Sequence, residues 1–113
     1  MQNRDLIIEI LVDLLTKNSS QSVKNEIVKY FNLDLVNSLY ANDRVNFVHF
    51  CHHLSSKSSK KYFSETFLES YLSILLSERY QSVLVALLKT AKDLRMRLED
   101  TLHLQKLESF LAA

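Results

Sequence analysis

The residue types best suited to chemistry gather in one stretch: His49, Cys51, His52 and His53. On a helix, His49 and His53 stand at i and i+4 on one face, and two imidazoles so placed can share a transition metal. Cys51 lies at a different angle, toward apolar neighbours. A structural zinc needs four ligands. No second cysteine or carboxylate cluster completes the set, and the further histidine is the distant His103. The pattern therefore reads as a buried thiol beside boundary histidines, with no metal and no cofactor. Cys51 and a neighbouring histidine do not make a catalytic pair either, because adjacent side chains on one helix diverge. No nucleophile elbow, phosphate loop or paired-carboxylate motif is present, so the sequence points away from an enzyme.

Two other groups merit the same test. Lys57, Lys60 and Lys61, next to Tyr62 and Phe63, suggest phosphate contact. Interleaved with serines, however, they read as a solvated loop. Arg95 and Arg97 are balanced by Asp93, Glu99 and Asp100. The chain carries 14 basic and 13 acidic residues, net +1, which is no electrostatic footprint for a nucleic-acid binder. That leaves the polar turns between helices. Lys17, Asn18, Ser20 and Gln21 form one. Asn42, Asp43 and Arg44 form the next, and Glu78, Arg79, Tyr80 and Gln81 the third. In stacked helical hairpins such turns share one ridge, which a protein partner can touch at several points. Arg79-Tyr80 stands out, because exposed Arg and Tyr are enriched among interface hot spots.

The elements that must position these turns are helical. The chain has 113 residues with no glycine and no proline, and 47% are hydrophobic. Without glycine, tight hairpins and phosphate-binding loops lose their usual residues. From Tyr62 to Lys92 two amphipathic segments flank Ser77-Glu78-Arg79-Tyr80-Gln81. Phe63, Phe67, Leu68, Leu72, Leu75 and Leu76 line the first; Val83, Leu84, Leu87, Leu88 and Ala91 line the second. They read as an antiparallel hairpin around which the rest is stacked. Before it, the spacing predicts a helix over Asp5 to Lys17, with Leu6, Ile7, Ile10, Leu11, Leu14 and Leu15 facing inward and Ile8 and Val12 widening the face. A second helix carries Val23, Ile27, Val28 and Phe31 and breaks at Asn32 and Asp34. A short third uses Leu35, Val36 and Leu39. A fourth runs from Asn42 or Asp43 to about Ser55, and residues 55–61 form a loop. A last helix restarts at Asp100 or Thr101 with Leu104, Leu107, Phe110 and Leu111. The chain ends at Ala112-Ala113 with that face still apolar, as expected of a piece of a longer array.

A gapless offset of 60 residues aligns Glu9, Leu15, Gln21, Ser22, Val23 and Lys29 with Glu69, Leu75, Gln81, Ser82, Val83 and Lys89. It suggests an internal repeat with a shortened pair between, Asp34 to Leu54. Leu14-Leu15 to Val23-Lys24 and Ile74-Leu75 to Val83-Leu84 show a helix, a polar turn, then Val opening a second helix. This resembles a HEAT repeat. Residues Arg44-Val45-Asn46-Phe47-Val48-His49-Phe50-Cys51, followed by Tyr62-Phe63 and Phe67, resemble HEAT units in regulatory subunits of protein phosphatase 4; the scaffold subunit of phosphatase 2A is a close second. The resemblance spans about Asp43 to Glu108. It departs from the family in lacking the first-helix proline, in Asn18 at the turn aspartate, and in Leu84 at the basic position. It implies an α-solenoid of about three HEAT-like hairpins, six to seven helices in a single domain. It also implies a non-catalytic scaffold whose partner is a serine/threonine phosphatase catalytic subunit. The alternative is a small helical adaptor that docks a peptide or helix in a groove between hairpins. With one cysteine, no apolar run of membrane-spanning length and no signal-peptide pattern, the sequence fits the cytoplasm, with the nucleus as a second compartment.

Overall fold

The computed structural model describes residues 2–17 and 20–95. Among these the fold is all-α. The helices are α1 (Gln2–Thr16), α2 (Gln21–Lys29), α3 (Ala41–Lys57), α4 (Lys60–Thr66), α5 (Leu68–Ser77) and α6 (Gln81–Arg95), and a π-helical turn (Tyr30–Leu35) extends α2. No described residue has positive φ. Helices end instead at residues in extended conformation, such as Ser58 (φ −104°, ψ 170°) and Glu78 (φ −71°, ψ 141°). A chain without glycine thus turns without the left-handed conformation that glycine usually supplies. Ser20 and Ser59 then cap the next helices, accepting from the backbone N–H of Val23 (3.2 Å) and Tyr62 (3.1 Å).

The centre of the molecule is α3, not the hairpin of α5 and α6. It buries Val45, Phe47, Val48, Phe50, Cys51, Leu54 and Ser55. That spread exceeds one stripe, as expected of a helix enclosed by neighbours. It packs on α1, the π-helical turn, α4, α5 and, most extensively, α6. Phe31 stacks on Phe50 (centroids 3.7 Å apart, planes 8°), and Phe67 meets Phe50 edge-on at 5.2 Å. This aromatic column joins the π-helical turn, α3 and the α4–α5 junction.

Helix directions follow from these contacts. Ile8 and Glu9 lie beside His49, His52 and His53, and Leu15 and Thr16 beside Lys57 to Ser59, so α1 runs parallel to α3. Arg44 meets Glu78 and His52 meets Asp93, so α6 also runs parallel to α3. Phe67 meets Phe50 while Ile74 sits near Arg44, so α5 runs the opposite way. The offset of 60 pairs α1 with α5, which point in opposite directions. It is therefore not a translational repeat of this fold.

Several boundaries differ from expectation. Asn32 and Asp34 do not end the second helix. The backbone widens by one residue there, with Val36 N–H bonding Phe31 O at 3.3 Å, and the Asn32 amide donates to Thr66 O at 2.9 Å. This keeps Ile27, Phe31 and Leu35 all buried. No helix forms over Leu35 to Leu39, and Leu39 is 90% exposed. The loop expected over 55–61 shrinks to Ser58 and Ser59. The single helix expected from Tyr62 is bent at Phe67 (φ −125°, ψ −17°), whose ring fills the core. In α1 the buried residues are Ile8, Val12 and Leu15, with Leu11 half-buried; Leu6, Ile7, Ile10 and Leu14 face outward. The helix expected after Asp100 lies outside the described residues.

Candidate functional site

Of the three polar turns, the structure brings two together. Arg44, in the first turn of α3, crosses to Glu78 at the end of α5, 34 residues on. Arg44 Nε donates to Glu78 Oε1 (2.8 Å) and Nη2 to Oε2 (3.0 Å), a bidentate fork. Arg44 Nη1 donates to Ser38 O (2.7 Å). Glu78 Oε2 also accepts from the backbone N–H groups of Tyr80 (3.1 Å) and Arg79 (3.3 Å). The carboxylate thus fixes the turn that launches α6. The two side chains are only 12% and 3% exposed.

The electrostatics follow from this geometry. Burial alone would push the Glu78 carboxyl up. Hydrogen bonds from Arg44 and the Tyr80 and Arg79 amides, with the Arg44 charge, outweigh burial and hold it below the usual carboxylate range. Arg44 is pushed up in turn, first by its hydrogen bond to Glu78. The Tyr80 ring lies over the guanidinium, 5.3 Å from Cζ to centroid, in cation–π contact. The ring remains 60% exposed. Beside it opens a cleft of about 310 Å³ whose walls include Val36, Asn37, Ser73 and Ile74. Arg79 lines the cleft and is exposed, and Gln81 is exposed at the start of α6. Asp43 accepts from Ser38 Oγ (2.6 Å), and that hydroxyl oxygen accepts from Tyr40 N–H (3.1 Å). Asn42 is exposed.

The third turn lies elsewhere. Leu15 and Thr16 line a cleft with Lys57, Ser58, Ser59 and Tyr62, at the far end of α3 from Arg44. Thirteen helical residues separate Arg44 from Lys57, roughly 20 Å. Lys17 pairs with Asp13 (3.6 Å), Ser20 caps α2, and Gln21 donates to Asn25 Oδ1 (2.9 Å). Asn18 lies outside the described residues. The three turns therefore do not form one ridge. Sequence reasoning named Arg44 and Glu78 as separate turn residues and missed their pairing. It also missed Ser38 and the cleft wall at Val36 and Asn37. The available signal was two opposite charges, each at the entry to a long helix.

The histidine stretch is arranged as boundary residues. Cys51 is fully buried, and burial pushes its thiol well up. His52 Nε2 sits 3.0 Å from Asp93 Oδ2. His49, His52 and His53 line a small cleft with Ile8 and Glu9, and no group among the described residues has the geometry to hold a metal ion. His103 lies outside the described residues. Lys57, Lys60 and Lys61 are exposed. No described helix is long and apolar enough to cross a membrane. Compared with known protein families, with curated proteins and with solved structures, the chain finds no match.

Proposed function

We propose that this chain is a non-catalytic helical scaffold that binds a protein partner through the surface around Arg44, Glu78, Arg79 and Tyr80. The observation that carries the reading is the exposed Tyr80 ring held over a guanidinium that Glu78 locks in place. A rigid aromatic loses little conformational freedom on binding, and a fixed Arg beneath it keeps its orientation. The open cleft beside it gives a partner side chain somewhere to enter. The buried charges in this site neutralise each other, which suits recognition better than proton transfer. The HEAT-like solenoid reading rests on the sequence resemblance alone. The resemblance of Arg44 to Cys51 and Tyr62 to Phe67 makes a serine/threonine phosphatase catalytic subunit the first partner to test. Calorimetric titration of such a subunit into the wild-type chain and into Arg79→Ala/Tyr80→Ala tests it. The expected result is saturable binding by the first and a loss of about 2 kcal/mol or more in the second. Equal binding would remove the turn from the interface. No binding by either would remove this partner.

A specific observation also favours the adaptor reading. Ile7, Ile8, Leu11, Tyr30, Phe31 and Leu35 line a mainly apolar groove of about 290 Å³ between α1 and the π-helical turn. An amphipathic helix could lay an apolar edge there.

A further inference from the structure

We draw no further inference here: the strongest candidate, the exposed apolar outer face of α1 at Leu6, Ile7 and Ile10 beside the groove to the π-helical turn, carries nothing because nothing in the structure shows what covers it.

Discussion

Replacing Arg44 by Ala tests whether the ion pair organises the site. The Glu78 side chain is 3% exposed while paired, and water entering from the cleft that Glu78 and Arg44 both line would offset only part of the lost guanidinium. Glu78 Oε1 would lose its bond from Arg44 Nε, leaving Oε2 with the Tyr80 and Arg79 amides. The Ser38 carbonyl would lose its Arg44 donor as well. Stranding one charge of a buried pair costs about 3–5 kcal/mol, against about 0–1 for a surface pair. A domain of ordinary stability has about 5–15 kcal/mol in all, so the variant should be markedly destabilised. The double variant Arg44→Met/Glu78→Leu removes both charges and keeps most of the volume. It should recover the part of the loss due to the stranded charge but not the rest, because the Tyr80 and Arg79 amides and the Ser38 carbonyl lose their partners too. Urea denaturation of wild type, Arg44→Met, Glu78→Leu and the double variant gives the coupling energy. A loss below about 1 kcal/mol for Arg44→Ala would refute the reasoning, since the pair would then be behaving as a solvated one.

Three further outcomes follow from the same structure. The Glu78 carboxyl is held below its unfolded value, so its contribution is full above the ordinary Glu range, about pH 4.3, and is lost as pH falls through the folded value. Urea midpoints from neutral to acid pH should fall more steeply for wild type than for Glu78→Gln, and parallel curves would exclude Glu78 as the source. Leu87 is fully buried on α6, so Leu87→Ala should cost about 2–5 kcal/mol by chemical denaturation; a loss under about 1 kcal/mol would mean that the face of α6 is misplaced. Leu39 is 90% exposed, so Leu39→Ala should stay within about 0.5 kcal/mol of wild type in the same assay, and a core-sized loss would restore the short helix expected there.

The helical class was legible because periodicity is local. Val83, Leu87, Ala91 and Leu94 are buried on α6; spacing placed Val83, Leu87 and Ala91 inside correctly, but Leu84 is only half-buried, and Leu88 and, on α5, Leu76 are exposed. The inner face of α1 was not legible for a physical reason. Eight apolar residues from Leu6 to Leu15 wrap most of that helix, and only the position of α3 decides which third is buried. Leu39 failed for the opposite reason: it continues an apolar spacing, but the backbone leaves the helix first. The π-helical turn was invisible because Asn32 and Asp34 look like breakers. Asn32 in fact finds its partner 34 residues away at Thr66. The turn residues were recognised as polar and solvent-facing. Which of them meet depended on the parallel course of α1, α3 and α6, which no local spacing encodes.

The most direct measurement compares two turns as partner surfaces in one binding assay. The reference is the affinity of the wild-type chain for a purified partner. One variant carries Arg79→Ala/Tyr80→Ala, which leaves the Arg44–Glu78 pair and its backbone donors in place. The other carries Lys17→Ala/Gln21→Ala at the distant turn. Thermal melts of both should match wild type, since all four side chains lie outside the core. The first variant should lose about 2 kcal/mol or more of binding, roughly thirtyfold, and the second should bind as wild type does. Equal losses from both would restore the continuous ridge. Wild-type binding by Arg79→Ala/Tyr80→Ala would contradict the central claim.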